Sequence, residues 1–235
     1  MTRLIMIDVR MNGKVIGRPG RPAARLKRDA RDLLLAAATE LFAMHGVAAT
    51  SFAMIAKRAG LTPAMVHYYF LNRGQLLDSV AEERIVPLIA LVWGPVNAGD
   101  SPAEIVRGVV ERMLAGIEQM PWIPSTWMRE VLNESGLLRS RVIRHLPFDK
   151  LKILGQSVAG GQAGNAINAN LNPGLIVFST IGLVMVHLAT VLFWAEIFES
   201  EPPNNEALRL QITSLLLNGL KPGASAQAVR GAKNK

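Results

Sequence analysis

A reversal between two short helical runs constrains this chain more than any other feature. It lies in "TSFAMIAKRAGLTPAMVHYYFLNR", residues 50–73, where only Gly60 and Leu61 separate the runs. Thr50 or Ser51 can cap the first run, because a hydroxyl accepts from an orphan amide of the first turn. Ile55 and Ala56 can face inward, and Gly60 ends the run. Thr62 is a good N-cap for the second run and Pro63 a good first helical residue. Val66 and Phe70 are four apart and share a face. Upstream, Leu34, Ala38, Leu41 and Phe42 recur at helical spacing, which predicts a long helix from near Arg25 to near His45, closed by Gly46. Downstream, Asn72 caps the next helix, with Gln75 placed to complete a capping box. Helices at about 25–45, 52–59 and 63–70, with so tight a turn between the last two, define a helix-turn-helix unit.

The rest of the chain also reads as helix. The expected elements are 74–94, 102–120, 124–136, 148–166, 174–198 and 204–219. Ser101-Pro102 is a start signal, and "NLNPG" at 170–174 marks a turn. No alternating pattern predicts a sheet. The fold class expected is therefore all-α, with about nine helices. The expected division is a flexible basic arm at 1–24, a helix-turn-helix domain at 25–72, a larger helical domain at 73–220, and a disordered tail at 221–235.

Charge is concentrated at one end. Residues 1–31 carry nine basic and two acidic side chains, whereas the other 204 carry seventeen and sixteen. The net charge of +8 thus belongs mainly to the N-terminal arm and suits a polyanionic partner. The chain has no cysteine, so disulfides and thiolate metal sites are excluded, and a reducing, cytoplasmic setting is expected. No cluster of His, Asp or Glu suggests a metal, and His145 and His187 are isolated. No nucleophile–base pair or phosphate-binding loop is visible, so neither an enzyme nor a cofactor is expected.

One stretch competes for a different reading. Residues 172–195 contain no Asp, Glu, Lys or Arg and are long enough to cross a bilayer. The alternative function is accordingly a membrane-associated helical protein anchored there. Ser179, Thr180, His187 and Thr190 interrupt the stretch, and no basic cluster flanks it. A helix buried in its own domain and against a partner chain accounts for the same pattern, and no membrane partner is expected.

Residues 33–77, "LLLAAATELFAMHGVAATSFAMIAKRAGLTPAMVHYYFLNRGQLL", closely resemble the N-terminal domain of TetR-family transcriptional regulators. The matching features are the alanines before Leu41-Phe42, then Gly46, Thr50, Ile55-Ala56, Ala59-Gly60, Tyr69-Phe70 and Leu76-Leu77. "GQAGNAINANLNPG" also resembles the family's turn into its penultimate helix. The resemblance implies a homodimer on a palindromic operator in double-stranded DNA. It also implies an all-helical C-terminal domain whose small-molecule ligand weakens DNA binding, by default in a repressor. The last two helices, near 174–198 and 204–219, would form the dimer interface. Where the family commonly has a phosphate-binding tyrosine this chain has His67, and where it has a lysine after the third helix this chain has Arg73.

Candidate DNA contacts follow. In a helix-turn-helix unit the third helix can enter the major groove. With Val66 and Phe70 turned inward, Pro63, Ala64, Met65, His67, Tyr68 and Tyr69 supply its outer surface and margins. Thr50, Ser51 and Thr62 can set helix N-termini and hydroxyls against phosphates. His67 and Arg73 are phosphate candidates, and Ala64 and Met65 can meet thymine methyls. "GRPGRP" at 17–22 resembles the core of an AT-hook with one extra proline-glycine spacing, so Arg18, Arg21, Arg25 and Lys27 are candidates for the minor groove. In the larger domain Trp93, Met113, Met120, Trp122, Trp127, Met128 and Phe148 are candidates to line a cavity for a small apolar or amphipathic effector, although such residues also fill ordinary cores.

Overall fold

A computed structural model describes residues 23–222 of the chain, with side chains from Asp29 onward. Arg18, Arg21, most of the expected arm and most of the expected tail lie outside the described residues. Arg25 and Lys27 lie on the described backbone, but their side chains do not belong to the described part.

Every described element is helical. The N-terminal unit comprises α1 (Ala23–His45), α2 (Phe52–Ala59) and α3 (Pro63–Tyr69). Gly60 ends α2 with φ of 68°, a left-handed conformation that costs a glycine little, and its N–H bonds back onto the helix. Leu34, Phe42, Ile55, Val66 and Phe70 meet in the centre of the unit, each at most 1% exposed.

A continuous helical path then leads out through α4 (Arg73–Val80), a wide π-type turn (Ala81–Ile85) and α5 (Val86–Trp93). Pro87 has no N–H to donate into the preceding turn, and the widened turn just before it accommodates that loss. The larger domain continues with α6 (Pro102–Gln119), α7 (Ile123–Thr126), a second π-type turn (Trp127–Val131), α8 (Arg139–Ile143), α9 (Phe148–Ala163), α10 (Leu175–Ile197) and α11 (Asn205–Leu220). The central helix is α6, which packs against α5, α9, α10 and α11. Ser101 and Glu104 form the capping box that opens it.

Three local expectations are corrected. Gln75 does not close a capping box with Asn72: the Asn72 side chain accepts from Gln75 N–H at 2.9 Å, but Gln75 Oε1 accepts from Leu71 N–H at 2.8 Å. The helix expected over 124–136 stops at Val131, because the chain turns at Asn133 and Gly136. A Cβ on Gly136 would lie 2.1 Å from the carbonyl oxygen of Glu130, so only glycine fits that turn. The short α8 falls where no helix was expected.

Candidate functional site

The outer face of α3 is presented by elimination. Val66 and Phe70 occupy the inside, and Thr62, Pro63, Ala64, His67 and Tyr68 are left exposed, with Met65 and Tyr69 half-buried. The surface is not a loose set of side chains. Phe52, the first residue of α2, meets the His67 ring edge-on at 5.0 Å between centroids. Tyr68 and Tyr69 make a second edge-on pair, also at 5.0 Å. Such pairs restrict rotamers, so His67 and Tyr68 are held in place before any partner arrives.

The two helix starts differ. Ser51 Oγ accepts from Met54 N–H at 3.2 Å and is the cap of α2. Thr62 occupies the corresponding place at α3, but its side chain makes no capping bond, contrary to the expectation for it. Thr50 departs further. It is 2% exposed, and its hydroxyl donates to the Gly46 carbonyl at 2.8 Å, so it secures the α1–α2 turn from inside instead of facing a phosphate. Arg73 is half-buried and donates to the carbonyl of Val47, so part of its guanidinium is committed to the same turn. Two exposed cations were missed by sequence reading. Lys57 lies on the outside of α2, and Arg58 on the same helix pairs with Glu40 of α1 at 2.6 Å. The Lys-Arg pair in "AKRAG" was the available signal.

Beneath this surface lies a join between the two domains. The carboxylate of Glu130, 6% exposed, accepts from Val47 N–H at 2.8 Å through one oxygen and from Leu137 N–H at 3.1 Å through the other. Gly46 packs against Arg129 and Glu130. Arg31 of α1 reaches Glu83 and Ser79 on the outgoing helical path, with its guanidinium 5.2 Å from the centre of the Phe70 ring. The bond from Arg31 holds the Glu83 carboxyl below its ordinary range and raises Arg31 above its own. Asp78 on α4 accepts from Arg141 at 2.7 Å and Arg144 at 3.2 Å, tying α4 to α8 and the residue following it.

The larger domain encloses a cavity of about 830 Å³. Of the residues the sequence marks as candidates, Trp93, Met113, Trp127, Met128 and Phe148 line it. Met120 and Trp122 do not. The chain reverses at Pro121 after α6, and this places both in a separate groove beside Asp29, Asp32 and Glu40 of α1. The cavity's walls include Ile85, Leu88, Ile89 and Val92 from the path that leaves the helix-turn-helix unit, and Val131 and Leu132 beside Glu130. Among the described residues, no group of three or more His, Asp or Glu side chains could hold a metal ion.

A three-helix unit with an outward-facing third helix leads directly into further helices that enclose an apolar cavity. Residues 34–80 match the model of bacterial regulatory proteins of the tetR family. Over this segment the chain is similar to tetR-family regulators, a match that covers residues 34–80 of its 235. Solved structures share the architecture at low sequence identity. The ketosteroid transcriptional regulator KstR2 of Mycobacterium tuberculosis aligns with a TM-score of 0.65 at 19% identity, covering 81% of this chain and 94% of its own. The transcriptional regulator FadR of Bacillus subtilis, solved in complex with stearoyl-CoA, aligns at 0.59 and 19%, covering 81% and 99%. The TetR-family regulator HI0893 of Haemophilus influenzae aligns at 0.57 and 16%, covering 84% and 99%. No curated protein matches the sequence.

Proposed function

We propose that the protein is a homodimeric repressor that leaves a palindromic operator when a small apolar or amphipathic molecule fills its cavity. One observation carries this reading: the helical path out of the DNA-binding unit becomes, within four turns, a wall of the cavity. A ligand that moves α5 would move α4 and change the spacing of the two recognition helices. The similar solved regulators, FadR in complex with stearoyl-CoA and the ketosteroid regulator KstR2, agree with an apolar or amphipathic effector. In this reading Ser51, Thr62, Pro63, Ala64, Met65, His67, Tyr68 and Tyr69 face the duplex. Arg73 offers what remains of its guanidinium, and Thr50 acts only by shaping the turn. The arm, with Arg18, Arg21, Arg25 and Lys27, adds affinity through the minor groove.

The test is selection of bound duplexes from a random pool. A palindrome with half-site centres about one duplex turn apart, roughly 34–36 Å, is expected. Single, unpaired sites would contradict the dimeric reading. Selection with a chain lacking residues 1–24 should keep the half-site and lose affinity at A·T-rich flanks.

The second reading rests on α10, which has a mean hydropathy of 2.3 and is only 28% buried over its most apolar window. A membrane anchor would need that surface in lipid. A soluble dimer in detergent-free buffer would exclude it, whereas recovery only in the membrane fraction would favour it.

A further inference from the structure

The cavity lining has a charge asymmetry that a purely apolar effector would not use. Most of the lining, including Met113, Ile117, Ile123 and Val131, carries no hydrogen-bonding side chain, and Trp93 and Trp127 offer only an indole N–H each. A charged ligand group placed among these residues would lose its hydration with at most an indole N–H in return. The remaining polar side chains of the lining are Arg139, Lys152 and Gln156, and the two charged ones are both cations. Lys152 and Gln156 are exposed and one helical turn apart on α9, in a stripe that begins at Phe148 and continues to Ala159. Arg139 donates to the carbonyls of Val131 and Leu132 at 2.9 and 3.2 Å, which fixes a second cation beside the wall that Glu130 supports. No Asp or Glu lines the cavity, and neither Arg139 nor Lys152 forms an ion pair among the described residues.

From this we infer that the effector is an amphipathic anion: an apolar body in the cavity and a carboxylate or similar negative head at the α9 rim, held by Lys152 and Gln156. The inference rests on the cavity being the effector site, and it adds the sign and position of the ligand's polar end. Lys152 selects the head by charge, and Gln156 offers an amide donor one turn away. Arg139, another lining cation, adds positive potential to the cavity. A cationic amphiphile meets like charge at the same rim and is rejected there.

The full chain can be titrated with three fluorescent probes that share one body: 11-(dansylamino)undecanoic acid, its methyl ester, and the corresponding undecylammonium compound. The carboxylate should bind at least about fivefold more tightly than the ester, as one partly exposed charge contact allows, and the ammonium compound least tightly. Lys152→Glu should weaken the carboxylate about tenfold or more and leave the ester within twofold. Equal binding of carboxylate and ester, or a carboxylate unaffected by Lys152→Glu, overturns the anionic-head proposal while leaving the cavity reading intact. Ala159→Trp, which adds bulk from an exposed lining position, should weaken all three probes. Probes that bind the wild type and Ala159→Trp equally, or that never saturate, overturn the cavity reading itself and the proposal with it.

Discussion

Glu130 is the residue on which the join between the domains depends most directly. Its two carboxylate oxygens each accept a backbone N–H, one from the α1–α2 turn and one from its own neighbourhood. Glu130→Gln keeps the shape but replaces one acceptor with a donor, so one buried N–H is left facing an NH₂ group. The expected loss is about 1–3 kcal/mol of stability, or a fall of roughly 2–12 °C in Tm for a chain of this size. Differential scanning calorimetry checks it, and an unchanged Tm would show that the turn holds without this contact. A second expectation concerns pH. The Glu83 carboxyl is depressed mainly by its bond from Arg31, so that bond stabilises the folded state above the ordinary carboxylate pKa of 4.5. The contribution is lost as pH falls from there through the lower, folded value. Arg31→Met should therefore narrow the gap in stability between pH 7 and pH 3.5. The effect will be small because both groups are partly exposed and screened. Urea titrations of both proteins at the two pH values measure it.

At the level of elements, helix punctuation was the most legible signal. Ser101-Pro102 and the turn at 170–174 located the starts of α6 and α10, since a cap or a proline acts on its own next turn. The outer face of α3 was legible for a related reason: once Val66 and Phe70 take the inside, the positions between them must lie outside. What sequence could not resolve depends on distant partners. Glu130 is 83 residues from the amide it binds, and nothing in "MREVL" marks it. Thr50 and Ser51 are chemically equivalent as caps, and the turn geometry alone decides that one points inward. Periodicity showed that Met120 and Trp122 are apolar but not which side of α6 the reversed chain would take. The two caps offer a paired test. Ser51→Ala should cost about 1 kcal/mol of stability through loss of the Met54 bond. Thr62→Ala should cost much less, since no capping bond is removed. If Thr62 instead serves the duplex, its loss will appear in operator affinity measured by fluorescence anisotropy and not in the unfolding curve. An equal loss of stability in both variants would contradict this division.

For the whole molecule, the unburied surface of α10 and α11 is the feature a single chain leaves unexplained. Phe178, Leu192, Phe193 and Ile197 are more than half exposed on α10, with Leu210 and Leu215 on α11, and Leu192 reaches 76%. An apolar face this extensive is unfavourable in water and marks a surface that another body covers. In the proposed dimer a second copy would cover this face: two helices from each protomer would make a four-helix interface, and its two-fold axis would orient two recognition helices alike. On that reading DNA affinity would depend on residues far from the duplex, because a monomer would engage only one half-site. Leu192→Arg with Phe193→Asp places charges on that face while touching neither the cavity nor α3. The double variant should run as a folded monomer in sedimentation velocity, with the wild type as a dimer. Its operator affinity should fall by a hundredfold or more, on the order of what loss of the second, tethered half-site implies. Single half-site duplexes should still bind with nearly unchanged weak affinity. A monomeric wild type, or a monomeric variant that keeps full operator affinity, would break the link between this face and DNA recognition.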